Sequence, residues 1–119
     1  MRHPDSRAPL RRALPALLGL TCLAALVQPA RATDVAAAAE LAKASGCTSC
    51  HATAEKIVGP AFKDVAARYK GDKDAAAALA QSIQNGSKGK WGRIPMPPNG
   101  GLSAAELKTL ATWVLQTPQ

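Results

Sequence analysis

Apolar positions along this chain recur at helical spacing. Val35, Ala38 and Leu41 make one stripe, Phe62, Val65 and Tyr69 a second, Ala76, Leu79 and Ile83 a third, and Leu107, Leu110 and Val114 a fourth. No run alternates apolar and polar residues with the β-branched enrichment of a strand. The pattern predicts an all-α fold of about four short helices. The first should run from near Asp34 to about Ser45 and stop at Gly46. The second follows Gly59-Pro60, where proline suits a helix start, and ends before Gly71. The third opens behind Asp72 or Asp74 and ends at Asn85-Gly86. Ser103 and Glu106 have the spacing of a capping box, which starts a last helix ending near Gln116. Between the third and last helices, Gly89, Gly92, Pro95, Pro97, Pro98, Gly100 and Gly101 exclude helix from Ser87 to Gly101. Such a long structureless loop is often functional.

The stretch before the first helix follows another grammar. Arg2, Arg7, Arg11 and Arg12 are followed by an uncharged run from Ala13 to Val27, too short for a transmembrane helix, and then by the small-residue pattern Ala30-Arg31-Ala32. Residues 1–32 are therefore expected to be a cleaved export signal, taking Cys22 with them, and residues 33–119 to be one domain. The 119-residue chain has a formal net charge of +7. Without residues 1–32, ten Lys and Arg face seven Asp and Glu, a net of about +3. That balance gives no reason to expect nucleic acid, but it suits docking onto an acidic protein face. The domain is also short of core material, since its only aromatics are Phe62, Tyr69, Trp91 and Trp113. A chain this small often needs a staple: disulfides, a metal or a large apolar cofactor.

The cysteines indicate which. Cys47-Thr48-Ser49-Cys50-His51 is a C-x-x-C-H sequence, the attachment motif of c-type haem. One short turn offers two thiols for thioether links to the vinyl groups, and the adjacent imidazole falls under the iron. A structural zinc site needs four ligands, and the domain has only Cys47, Cys50 and His51. A thioredoxin-like dithiol lacks its βαβ setting, and a plain disulfide leaves the histidine unexplained. Met96 is the one methionine after the signal, so any sulfur ligand on the far side of the iron must be Met96. Its place between Pro95 and Pro97 in a loop argues against a core-filling role.

Gly46-Cys47 to His51, Val58-Gly59-Pro60-Ala61, Lys63-Asp64-Val65-Ala66-Ala67, Asn85-Gly86-Ser87 and Trp91 through Asn99 together resemble the bacterial cytochrome c-551 family of small class I cytochromes. The resemblance spans almost all of residues 33–119, and Ile94-Pro95-Met96-Pro97-Pro98-Asn99 is its most specific part. It implies one covalent haem c wrapped by the helices, with His51 and Met96 as iron ligands. It also implies that the Pro60 carbonyl accepts the other ring proton of His51, that Trp91 lies near a haem propionate and that Asn99 lies near the methionine sulfur. Lys90 and Arg93 depart from the pattern, standing where other members often carry uncharged residues.

Closed His/Met coordination leaves no iron position for oxygen or peroxide, so the resemblance implies a small periplasmic carrier of single electrons. A peroxidase-type enzyme would need an open sixth position and distal acid-base groups, and a gas or redox sensor would need an output domain. The implied partners are redox proteins: a quinol:cytochrome c reductase as donor, and a nitrite reductase, terminal oxidase or peroxidase as acceptor. No nucleic acid and no stable membrane insertion after signal removal are expected, and the carrier should be a monomer. Lys56, Lys88, Lys90 and Arg93 flank the ligand-bearing segments and are expected to steer acidic partners.

Overall fold

The computed structural model describes residues 30–119, with side-chain burial from Asp34 onward. The expected export signal therefore lies outside the described residues, apart from the helical backbone of its last three positions. Among the described residues there are four α-helices, one short 3₁₀ turn and no strand: α1 (Ala30–Ala44), the turn (Cys47–Ser49), α2 (Phe62–Arg68), α3 (Ala75–Asn85) and α4 (Ala104–Leu115). The all-α expectation holds, and each of the four apolar stripes lies on or at the end of its own helix.

The core gathers on α4, which packs against α1, α2 and α3. Its Leu107, Leu110, Ala111 and Val114 are buried. Ala38 and Ala42 of α1 are buried too, and their small side chains let the helix backbones approach closely. Phe62 and Val65 of α2 meet Leu79 of α3 and Ala111 and Val114 of α4 in one apolar cluster. Ser103 begins α4 as expected: its hydroxyl accepts from the Glu106 N–H, and the Glu106 carboxylate accepts from the Ser103 N–H at 2.8 Å.

Four local expectations shift. Helix α1 begins at Ala30 rather than near Asp34, because nothing between Ala30 and Thr33 breaks a helix. Its Val35 is 46% exposed, so the inward stripe turns to Ala38 and Ala42. On α3 the buried positions are Ala75, Leu79 and Ser82, one residue round from the expected Ala76 and Ile83. Pro60 does not open α2 either. It lies two residues before Phe62, with Ala61 in the extended N-cap conformation between them. That placement keeps the Pro60 carbonyl outside the helix and available to another partner.

The long segment after α3 is irregular but tied at its neck. Ser87 and Met96 form an isolated antiparallel bridge, with N–H···O distances of 3.0 and 2.9 Å. Just beyond it, the Asn99 N–H donates to the Ile83 carbonyl at 2.8 Å, which fastens the end of the loop to the end of α3.

Candidate cofactor site

Between the helices and the tied loop lies a cavity of about 1120 Å³, its open mouth included. Its lining draws on every described element: Ala42 of α1, Phe62 and Val65 of α2, Leu79 and Ile83 of α3, and Leu110, Trp113 and Val114 of α4. The partial exposure of Ile83 is thus explained, since that face of α3 looks into the cavity rather than into side chains. The lining is mainly apolar, as a large flat hydrophobic group requires.

One wall is the C-x-x-C-H segment. Gly46 leaves α1 with φ 76°, a left-handed turn suited to glycine, and the chain enters the 3₁₀ turn at Cys47. The N–H groups of Cys50 and His51 both donate to the Cys47 carbonyl, at 3.2 and 3.0 Å. This tight turn puts Cys47, Cys50 and His51 on the same cavity, with both thiols free and half-buried. Burial pushes the Cys47 thiol pKa up from its ordinary value, against the lowering effect of a backbone hydrogen bond.

The His51 ring is fixed from several sides. It stacks on Phe62 with centroids 5.3 Å apart, and Phe62 in turn meets Trp113 edge-on at 5.1 Å. Gly59 presses on the ring closely enough to leave no room for a side chain. His51 Nδ1 lies 2.7 Å from the Pro60 carbonyl oxygen. A carbonyl can only accept, so Nδ1 donates its proton there and Nε2 is the nitrogen left to face a metal.

The tied loop brings Trp91, Ile94, Pro95, Met96 and Pro97 to the same cavity. Asn99 is half-buried, and its side-chain amide donates to the Ser45 carbonyl at 3.2 Å, which ties the loop to the end of α1. The structure therefore brings Cys47, Cys50, His51, Pro60, Trp91 and Met96 to one cavity, while Asn99 braces the loop from behind.

Three participants had not been singled out for such roles. The Arg68 guanidinium sits 4.5 Å over the Trp91 ring and also donates to the Lys90 carbonyl. Lys90 Nζ donates to the Ser82 hydroxyl at 2.8 Å, and Ser82 donates to the Ala78 carbonyl at 3.0 Å. No sequence signal pairs Arg68 with Trp91. Ser82 did leave one: it is a polar residue three positions after Leu79, where an inward stripe would continue.

The chemistry of the donor set fits a covalently held haem. Two free thiols and an imidazole stand on one wall, a thioether on the facing loop, and apolar side chains line the space between them. The cytochrome c family model matches residues 35–118. The chain is 59% identical over 75 residues to cytochrome c-551 of Pseudomonas aeruginosa, covering 63% of this chain and 71% of that protein. It is 52% identical over 75 residues to cytochrome c-551 of Allochromatium vinosum, covering 63% of this chain and 80% of that one. The crystal structure of Nitrosomonas europaea cytochrome c552 aligns with a TM-score of 0.65 at 51% identity, covering 67% of this chain and 99% of the other. By fold, by the cysteine-histidine turn and by these relatives, this chain belongs to the cytochrome c family, as a small electron carrier with covalently attached haem c.

Proposed function

We propose that this protein is a periplasmic single-haem carrier whose iron is held between His51 and Met96, passing one electron at a time between larger redox proteins. The observation that carries this reading is the paired presentation on one cavity: an imidazole with its Nδ1 proton committed to Pro60, and a methionine on a loop tied at its neck. When bound, haem c supplies a one-electron redox centre. Cys47 and Cys50 hold it by thioethers, His51 offers Nε2, and Met96 offers its thioether sulfur. Phe62, Gly59 and Pro60 keep the imidazole from rotating, so little rearrangement accompanies a change of oxidation state.

Methionine ligation and burial both favour a raised reduction potential and a closed sixth position, which suits electron transfer and disfavours bond-making chemistry. Trp91 supports the propionate edge in this reading, and Asn99, anchored to Ser45, keeps the loop in register beneath the sulfur. Ile57, Val58 and Ile94 are exposed large apolar residues, and Val58 and Ile94 also line the cavity. They supply a contact surface near the cavity mouth for a redox partner. Lys56, Lys88 and Arg93 are exposed and supply the long-range attraction. A quinol:cytochrome c reductase as donor, and a nitrite reductase, terminal oxidase or peroxidase as acceptor, suit such a surface. Among the described residues no helix is long and apolar enough to cross a membrane. Export by cleavage after Ala32 completes the reading.

Two measurements test it. Purified protein should begin at Thr33, carry one haem's mass, and keep its haem through acid-acetone extraction. The oxidised protein should show the weak far-red sulfur-to-iron band and bind cyanide and carbon monoxide poorly. Met96→Ala should abolish the band, lower the potential and admit external ligands while leaving the haem covalently attached. A wild-type protein that lacks the band and binds carbon monoxide readily would defeat His/Met ligation.

A further inference from the structure

We propose that Lys90 and Ser82 form a carboxylate seat inside the cavity, and that Lys90 serves the haem propionate edge rather than the steering surface. This rests on the reading of the cavity as the haem site and adds to it a counterion from Lys90, a position where members of the family often carry an uncharged residue.

Among the described residues that line the cavity, Lys90 is the one lysine, arginine or acidic side chain. Like Lys88 and Arg93 it is exposed, but of the three only Lys90 lines the cavity. Lys90 is held at both ends. Its carbonyl accepts from Arg68, whose guanidinium also covers Trp91, and its ammonium donates to Ser82 at 2.8 Å.

Ser82 is the buried polar residue of the core, 8% exposed. Its hydroxyl proton goes back to the Ala78 carbonyl, so its oxygen is oriented to receive the lysine. One N–H of Lys90 is used there, and two remain. Lys90 is solvent-exposed, but its ammonium is held at the cavity wall by Ser82 with N–H groups left over for an anionic partner. Haem carries two carboxylates on one edge, and Trp91 lies one residue from Lys90 on the same cavity. An ammonium on a serine tether is therefore matched to a propionate, and the pairing neutralises part of the negative charge closest to the iron.

The test compares the mature haem-loaded protein with Lys90→Met, Ser82→Ala, the double variant and Lys88→Met as an exposed control. Redox titration against a mediator of fixed potential is run at low and at about 1 M salt, where the Debye length is roughly 3 Å. Removing a cation beside the iron favours the oxidised form. Lys90→Met should raise the oxidised-to-reduced ratio roughly threefold or more, about 28 mV for one electron at 59 mV per tenfold, at both salt concentrations. Ser82→Ala should shift it the same way by less, and the double variant by no more than Lys90→Met alone, because the two act as one unit. Lys90→Arg, which keeps the charge, should recover most of the shift. Lys88→Met should have a smaller effect that salt removes. An unchanged ratio for Lys90→Met, a shift that vanishes in salt, or additive shifts for the double variant would each overturn the proposal. The far-red band separates the two levels of inference: its presence in wild type and Lys90→Met, with no shift in ratio, defeats the seat alone, and its absence from wild type defeats the ligation beneath it.

Discussion

A methyl group added at Gly59 would have to enter the His51 ring, because a Cβ there falls 2.4 Å from Cε1 and 2.8 Å from Nδ1. Gly86 is as constrained, from the other wall. Its φ of 75° and ψ of 177° lie in a region that only glycine adopts readily, and a Cβ would fall 2.6 Å from the Met96 carbonyl oxygen. Gly46 shares a positive φ of 76° but has open space around it. The three glycines therefore separate two costs. Gly46→Ala should lose about 1–2 kcal/mol for the left-handed backbone alone. Gly86→Ala adds a steric term of about 1–3 kcal/mol and breaks the Ser87–Met96 pairing. Chemical denaturation of the loaded proteins should rank them in that order, with Gly86→Ala also weakening the far-red band. Gly59→Ala should instead perturb His51, seen as a changed Soret spectrum at little change in backbone strain. The chain showed Cys47, Cys50, His51 and Met96 plainly because local sequence carries attachment and only one methionine is available. It showed Gly86 only as a helix stop, since the approach of Met96 depends on a loop returning from ten residues away. The bond from Lys90 to Ser82 was hidden for the same reason, as it spans the end of a helix and a turn.

At the level of elements, four apolar stripes predicted four helices, and the helices exist. What the stripes could not settle was which side of α1 and α3 would face protein and which would face the cavity. Periodicity reports a preferred face but not the nature of what covers it, so Ile83 looked like core when it lines the cofactor space. The start of α4 was readable to the residue because its signal is local. Ser103→Ala should remove the N-cap and cost about 0.5–2 kcal/mol, measured by thermal unfolding. The same hydrogen bonds, first the one to the Ser103 backbone and then the one to its side chain, hold the Glu106 carboxyl below its ordinary pKa. A depressed acid contributes stability above its unfolded pKa and loses that contribution as pH falls through the folded one. The advantage of wild type over Glu106→Gln should therefore be full near neutrality and shrink as pH drops through and below about 4.3, the ordinary glutamate value. An advantage independent of pH would mean that the box is not formed in solution.

For the molecule as a whole, the cavity takes the place of a conventional centre. Five buried residues from three helices make the main apolar cluster, and four of them, Phe62, Val65, Leu79 and Val114, also line the cavity. The scarcity of large side chains pointed to a staple of some kind, and the cysteine turn identified it, but the cavity's shape could not be read from composition. A protein expressed with Cys47→Ala and Cys50→Ala should retain local helix yet lose cooperative unfolding, seen as a broad calorimetric transition and reduced far-ultraviolet ellipticity. Steering belongs to this scale too. Association with an acidic redox partner should slow as ionic strength rises, and Lys88→Glu should slow it further while barely moving the potential. The backbone pairing of Ser87 with Met96 has a consequence for how this molecule can vary. It makes residues 88–95 an eyelet with a knotted base, whose circumference can change while its two feet stay where they are. Closing a slightly larger ring costs only a fraction of a kcal/mol. Two residues inserted between Gly92 and Arg93 should thus be absorbed at the rim, whereas the same insertion between Met96 and Asn99 would pull Asn99 out of reach of Ile83 and Ser45. The rim at Gly92 is the exchangeable part, while Lys90 and Trp91 on the cavity side and everything past the base are foundation.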